Sequence, residues 1–339
     1  MAQQTDTRRD APEGARPSGD EPMRRRMDYR PTGTDAGTGL APTLKRTALE
    51  FREDGMTDWA AALTYYGLLA LFPALIALVS LVGLFGDPVT TTGKLTDIVN
   101  SLGPRTAAAT FAGPIRSITS HRAASGILLV VGLGAALWSA SGYVGAFMRA
   151  SNVIYETPEG RPFWKLRPLQ IAVTLVMVLL LAALALALVL TGPIVDRVAH
   201  PLGISGTATT VWDVAKWPVM VLVVLLMIAV LFHAAPNVKL PGFRWVTPGA
   251  VLALVAWVLA SVAFAFYVAS FGSYDKTYGT LGGVVALLVW LWIGNLALLL
   301  GMELNAERER SRELAAGVPG AERELQLDAR SAPQRKRTT

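Results

Sequence analysis

The chain has 339 residues, of which 52% are hydrophobic and only 17% are charged, and its mean hydropathy is +0.42. A soluble domain carries roughly a quarter charged residues, so this composition argues against a soluble protein. The absence of cysteine excludes disulfides, cysteine–metal sites, thiol catalysis and acylation on cysteine. The formal net charge of +6 is explained better by basic residues that flank membrane spans than by nucleic-acid binding.

The first 42 residues are rich in charge, proline and glycine, and Tyr29 is their only aromatic residue. Such a segment buries too little apolar surface to offset its ordering entropy, so residues 1–42 are predicted to form a disordered cytoplasmic tail. Residues 43–58 predict a short interfacial helix. The first apolar run begins near Trp59, too late for a signal peptide, so the first span is expected to act as its own insertion signal.

Six uncharged runs of at least 22 residues follow, at about 59–86, 123–148, 168–195, 217–238, 245–274 and 277–302. A helix needs about 20 residues to cross the hydrocarbon core, and only a helix pairs its whole backbone within one segment in lipid. The sequence therefore predicts an all-α integral membrane protein, a six-helix transmembrane bundle over residues 43–305. Residues 306–339 are predicted to be a charged cytoplasmic tail that starts as a helical extension and ends disordered.

The orientation follows from the basic residues near the spans. With the N-terminus inside, twelve Lys and Arg residues flank the spans on the inner side and seven on the outer side. The positive-inside rule then places both termini in the cytoplasm. The second span also carries small residues three or four apart, which lets another helix approach closely; these are Gly132, Ala135, Ser139, Gly142 and Gly145.

Several stretches resemble one family. They are WAAALTYYGLLALFPALI in the first span, WSASGYVGAFMRASNVIYE ending the second, LFHAAPNVKLPGF closing the fourth, and FGSYDKTYGTLGGVVALLVWLWIGNLALLLGMELNAE over the last two. Together they resemble the YihY/BrkB family of bacterial inner-membrane proteins, once labelled ribonuclease BN, over about residues 45–307. The resemblance implies six spans and the bacterial cytoplasmic membrane, without fixing an activity.

Nothing in the sequence predicts catalysis. A metal-dependent nuclease needs clustered His and Asp, but His121, His200 and His233 lie in different segments and form no short-spaced pair. Neither a phosphate-binding glycine loop ending in Lys-Ser/Thr nor a serine elbow is present. We therefore expect no enzyme activity, catalytic residue, metal or cofactor.

The candidate site residues lie at the edges of spans or are polar within them. Asp275 and Lys276, between Tyr274 and Tyr278, form either a polar gate at the outer face or a hairpin cap with interfacial tyrosines. Pro73, near Tyr65 and Tyr66, is expected to kink the first span, as in transporters, or to be a tolerated membrane proline.

Three further candidates lie near the inner face. Asn152 looks like a loop-fixing residue that also lines an inner vestibule, and Asn305 ends the last span. Glu303 either pairs with an inner basic residue such as Arg149 or Arg167, or is a solvated carboxylate at headgroup level; its lack of a local partner at i,i+4 favours the second interpretation. Asn295, in mid-span, is expected to hydrogen-bond across helices.

Two functions fit these features. The first is a transport protein that moves a small or lipid-like amphiphile across or within the cytoplasmic membrane; the lack of a charge deep in any span favours a path open to lipid. The second is a non-catalytic scaffold for an envelope complex, and a ribonuclease is disfavoured. The expected partners are membrane lipids, with an envelope protein or a second copy of the chain as alternatives, and no nucleic acid.

Overall fold

The computed structural model describes residues 39–85, 126–189, 206–270 and 280–332. These residues form helices α1 Leu40–Glu53, α2 Met56–Phe85, α3 Gly126–Ile154, α4 Phe163–Val189, α5 Gly206–Ala234, α6 Pro248–Ser270 and α7 Thr280–Ala315. Within the described ranges there is no β-strand, only one isolated bridge between Val238 and Ala329. The predicted all-α class is confirmed for this part of the chain.

Four stretches of the described residues are long and apolar enough to cross a bilayer: Phe163–Ala185, Val214–Ala234, Pro248–Val268 and Gly282–Ala315. They lie in α4 to α7 and correspond to the last four predicted spans. The first two predicted spans correspond to α2 and α3, which have 30 and 29 residues. The count of six spans stays a prediction, because four stretches of the described residues meet the requirements for length and apolar composition.

The buried core is shared by helices α2 to α7. Leu63, Phe147 and Leu299 are fully buried there, and the rings of Phe147 and Phe232 stack with centroids 6.4 Å apart. In a membrane these contacts are held by close packing rather than by a hydrophobic driving force between helices.

The predicted helix near residues 43–58 is present as α1. A turn at Gly55, with φ of +62°, separates it from α2. α1 packs along the end of α7, and three of its polar side chains are buried in that contact: Thr43, Arg46 and Thr47. The charged end of α7 is thus a structural partner of α1 as well as an extension of the last span.

The structure differs from the expected disordered end of the C-terminal tail over residues 316–332. Residues 306–315 continue α7, as expected, and the segment after them folds back onto the bundle. Its backbone pairs with residues 237–239: Arg330 N–H donates to Asn237 O at 2.8 Å, and Lys239 N–H donates to Asp328 O at 2.8 Å. We call the end of the bundle formed by α1, residues 155–162, residues 235–247 and residues 303–332 the tail end. The remaining expectations of disorder, over residues 1–38 and 333–339, lie outside the described residues.

Gly160 makes this docking sterically feasible. A Cβ at this position would collide with the carbonyl oxygen of Ser331 and lie 2.7 Å from Ala332. The returning segment therefore rests directly on the backbone of the loop between α3 and α4.

Candidate functional site

The sequence candidates do not converge on one cavity in the described residues. Tyr65 is 60% exposed, whereas Asn295 is 5% exposed and lies inside the bundle. Pro73 lies within α2, which continues through it. The proposed gate (Tyr274, Asp275, Lys276 and Tyr278) lies outside the described residues.

Asn295 links three helices, which confirms the expected cross-helix hydrogen bond. Its Oδ1 accepts a bond of 2.8 Å from the Tyr143 hydroxyl on α3, and its Nδ2 donates to Thr64 Oγ1 on α2 at 3.2 Å. Both polar atoms of the carboxamide therefore have partners in the bundle. This arrangement is structural in character, because both bonds join buried or half-buried side chains of neighbouring helices.

Asn152 fixes loops at the tail end, as its sequence position indicated. Its Oδ1 accepts from the Asn237 backbone N–H at 2.8 Å, and its Nδ2 donates to Glu159 at 2.9 Å. Asn237, fully buried, donates to Pro158 O and Ser331 O. Burial raises the pKa of Glu159, but hydrogen bonds and charge from Arg161 outweigh burial and hold that pKa below its usual range.

Asn305 anchors the start of α6 to α7. Its Oδ1 accepts from Gly249 N–H at 3.0 Å, and its Nδ2 donates to Thr247 Oγ1 at 2.9 Å. The same hydroxyl accepts from Ala250 N–H, so Thr247 is the N-cap of α6. The first free N–H groups of α6 are thereby satisfied.

The favoured interpretation of Glu303 as a solvated carboxylate is wrong. Glu303 is only 1% exposed. It lies close enough to Tyr155 that its charge, added to the larger effect of burial, raises the pKa of that phenol. The alternative partners proposed for it, Arg149 and Arg167, instead contact aromatic rings. Helix packing at the tail end, which the sequence pattern does not show, removes Glu303 from water.

Arg167 lies half-buried near the start of α4, against α3. Its guanidinium carbon lies 4.0 Å from the centre of the Trp138 ring, and its Nη2 donates to the Trp138 carbonyl at 2.9 Å. Nη1 donates to Gln170 at 3.0 Å. Nε is buried and has no hydrogen-bond partner among the described residues. No carboxylate of the described chain pairs with this cation, so its charge is balanced only by dipoles and a ring face.

Arg149 repeats this arrangement one helix away. Its guanidinium carbon lies 5.4 Å from the centre of the Tyr66 ring on α2. Trp138, Gly142, Gly145 and Arg149 are spaced along a single face of α3, and we call them the α3 strip. Gly142 faces Tyr66 and Gly145 faces Gln170, so α2 and α4 flank the strip on either side.

Both arginines were assigned to a connecting loop by the sequence pattern, and this is corrected by the structure. The expected connection ran from about Arg149 to Arg167, but α3 continues to Ile154 and α4 begins at Phe163. Trp138 precedes the end of α3 by 16 residues, which is about 24 Å of helix. Arg167 lies in the second turn of α4, near the start of an apolar stretch, so the expectation that no charge lies deep in a span stays a prediction. A weak signal existed in the sequence: Trp138 and Arg149 share a face with two glycines.

The tail end also holds a buried ion cluster that sequence reasoning missed. Arg310 contacts Glu50 at 3.0 Å, Glu156 at 2.8 Å and Glu307 at 3.3 Å, and Arg46 contacts Glu307 at 2.6 Å. Glu156 has a positive φ of 51°, where glycine is favoured at a helix end. Its carboxylate is held by Arg310 and by the Leu325 N–H, which ties α3 to the returning segment.

These features define a polytopic α-helical membrane protein whose tail end is closed by buried ion pairs. Within the described residues, no three histidine, aspartate or glutamate side chains come together as a metal site. The histidine that the structure describes, His233, makes an edge-to-face contact with Phe243 at 5.4 Å.

Comparison with known proteins agrees with this class. The family model described as virulence factor BrkB matches residues 47–325. The chain belongs to this family. It is 35% identical over 256 residues to a protein of Bacillus subtilis (strain 168) named putative ribonuclease-like protein YfkH, covering 75% of this chain and 90% of that one.

A second relative is a protein of Stenotrophomonas maltophilia (strain R551-3) named UPF0761 membrane protein. It is 29% identical over 262 residues, which are 76% of this chain and 58% of the relative, so this chain spans little more than half the length of that protein. A UPF0761 membrane protein of Tolumonas auensis is 37% identical over 81 residues, 23% of this chain and 26% of that one. No solved structure matches.

Proposed function

We propose that this chain is a transport protein of the bacterial cytoplasmic membrane that moves a lipid-like amphiphile with an anionic headgroup across or within the bilayer. The observation that carries the proposal is Arg167, a half-buried cation in the apolar stretch of α4 that has an aromatic partner but no carboxylate among the described residues. An arginine inside a transmembrane segment is costly and most often marks a substrate pathway.

The surroundings of Arg167 suit an anionic group that enters from the lipid. Trp138 is 51% exposed, so the ring that carries the guanidinium faces outward from the bundle. The planar guanidinium matches the oxygen pairs of a phosphate, and each Nη atom keeps one N–H beyond its bond to Gln170 or to the Trp138 carbonyl. Phe163 and Trp164, exposed at the start of α4, sit where aromatic residues favour the bilayer interface.

Arg149 extends this positive surface toward the tail end. It is exposed and lies five residues before the end of α3, so it can meet a headgroup at the interface. A headgroup would pass from Arg149 to Arg167 while its acyl chains stayed in the lipid. Gly145, between them on the α3 strip, is buried beneath Gln170. Such a path needs no water-filled pore, which fits the apolar character of the spans.

The cytoplasmic placement of both termini is part of the proposal. It rests on the excess of Lys and Arg on the side of the tail end. The proposal assigns no catalytic role to the chain: the aromatic and guanidinium groups of the strip bind and guide, and none is a nucleophile next to a general base.

A lipid-flux assay tests the proposal. Purified full-length chain is reconstituted into liposomes that contain fluorescently labelled phosphatidylglycerol, and a membrane-impermeant reductant bleaches the label that reaches the outer leaflet. We expect bleaching to proceed past the half seen in protein-free liposomes. Arg167→Gln should slow the flux about tenfold, the equivalent of ~1.4 kcal/mol, and Arg167→Lys should recover part of it, because it keeps the charge but loses the planar contact.

The matched control is Arg323→Gln, which removes one exposed arginine from the returning segment. It should leave the flux unchanged. Flux equal to that of protein-free liposomes for labelled anionic and zwitterionic lipids alike would rule out lipid transport. If, in addition, one envelope protein co-purified at fixed stoichiometry, the scaffold function would be favoured.

A further inference from the structure

A cavity of about 80 Å³ opens at the tail end between α5, α6 and α7, away from the α3 strip. A cavity of this volume has room for a phosphate group. The polar and charged side chains that line it are His233, Arg244, Asn305, Arg308, Glu309 and Arg312.

The side chains that line this cavity carry a net positive charge. Arg312 pairs with Glu309, with Nη1 and Oε2 2.5 Å apart. Arg244 and Arg308 have no carboxylate within 4 Å in the part of the chain that the structure describes. Two guanidinium groups thus border a small hollow without an internal counter-ion, an arrangement that favours a bound anion.

The anion would be held by side chains rather than by the start of α6. Pro248, the first residue of that helix, has no N–H, and the next two N–H groups are bonded to Asn305 and Thr247. Asn305 uses its Oδ1 and one of its two N–H groups in these bonds. Among the lining cations, Arg244 and Arg308 are the arginines without a carboxylate partner in the described chain, so they are the strongest donors for oxygen atoms in the cavity.

The position of the cavity indicates where the anion comes from. The apolar stretch of α5 ends at Ala234 and that of α6 begins at Pro248, so the cavity lies at the edge of two apolar stretches. Phe243 and Trp245, 40% and 66% exposed, flank the cavity on the loop between them. Exposed aromatic rings at span ends occupy the headgroup layer of a bilayer.

We infer that this cavity binds a phosphate group, supplied by the headgroup of an anionic phospholipid, through Arg244 and Arg308. Apolar lining residues, among them Phe232 and Leu240, would contact the glycerol end of such a lipid. The inference does not rest on the transport function, because the cavity and the α3 strip share no residue.

Native mass spectrometry of the purified full-length chain in detergent tests this inference. The chain is titrated with phosphatidylglycerol, with phosphatidylcholine and with inorganic phosphate. We expect wild-type chain to retain one more phosphatidylglycerol than the Arg244→Gln/Arg308→Gln variant, and to gain thermal stability from that lipid. The control variant, Arg52→Gln/Arg323→Gln, loses the same charge from exposed positions outside the cavity and should behave as wild type.

The arms of the titration separate the sources of phosphate. Retention of phosphatidylglycerol without a response to inorganic phosphate supports a lipid headgroup. An equal response to inorganic phosphate, lost in the Arg244/Arg308 variant, supports the phosphate site with a soluble ligand. Identical retention by wild type and both variants would overturn the inference. Because lipid flux is not measured, failure here leaves the transport proposal separately testable.

Discussion

Gly249 and Gly301 face each other where α6 crosses α7. The two backbones lie so close that neither position has room for a side chain. A Cβ on Gly249 would collide with the Gly301 carbonyl oxygen, and a Cβ on Gly301 would collide with the Gly249 carbonyl oxygen and lie 2.7 Å from the Ala253 Cβ. The two backbones are therefore in direct contact next to the cavity lined by Arg308.

This contact predicts a position-specific cost for a methyl group. Gly301→Ala should lower the free energy of unfolding by about 1–3 kcal/mol, because two helix backbones must move apart. The measurement is thermal unfolding in detergent micelles. Gly134→Ala is the matched control, since nothing lies within 4 Å of a Cβ there, and it should be neutral or slightly stabilising. Equal midpoints for the two variants would contradict the close crossing.

Arg310 should be among the residues most sensitive to substitution at the tail end. Arg310→Gln leaves Glu50, Glu156 and Glu307 without their shared cation, and loss of one partner from a buried ion pair costs about 3–5 kcal/mol. Arg312→Gln breaks a half-exposed pair with Glu309 and should cost about 1 kcal/mol or less. Thermal unfolding of both variants checks the contrast. A similar small loss in both would show that the cluster contributes little.

The hydrogen bond between Tyr143 and Asn295 should show energetic coupling. In a double-mutant cycle of Tyr143→Phe and Asn295→Leu, we expect a coupling of about 0.6 kcal/mol and at most about 2 kcal/mol. A second cycle of Tyr143→Phe with Asn305→Leu tests a residue further along α7 and should be additive. Additivity in the first cycle would mean that the bond adds no stability.

The depressed pKa of Glu159 predicts an acid-dependent loss of stability. A carboxyl whose pKa is lower in the folded state stabilises that state above its unfolded pKa, here about 4.5, and the contribution disappears as pH falls through the folded value. The difference in melting temperature between wild type and Glu159→Gln should thus be present at pH 7 and shrink below pH 4.5. A difference that stays constant across this range would exclude the ionised form as the source.

Apolar run length predicted four spans that the structure places in α4 to α7, and the expected hydrogen bonds of Asn295 and Asn152 were confirmed. Apolar run length placed the ends of two spans at Arg149 and Arg167, because a hydropathy criterion stops a span at a charged residue. The helices themselves include both arginines. The backbone continues its hydrogen bonds past both residues, and aromatic rings cover the guanidinium groups. Which side chain of α4 contacts Trp138 depends on the tilt between α3 and α4, and the spacing of residues in the sequence does not determine that tilt.

Contacts at the tail end were beyond sequence reasoning for a different reason. The burial of Glu303 and the pairing of residues 328–330 with 237–239 join segments that lie far apart along the chain. Periodicity describes one element at a time and does not identify its distant partner.

The segment that rests on Gly160 also sets an order for biogenesis. Residues 328–331 leave the ribosome after all seven described helices, yet they supply the bonds that satisfy Asn237 and the backbone beside it. The loop after α5 can therefore complete its hydrogen bonds only after Ser331 has been synthesised. In a nascent chain arrested in α7 these bonds would be missing, and the loop would be more accessible to proteases and chaperones.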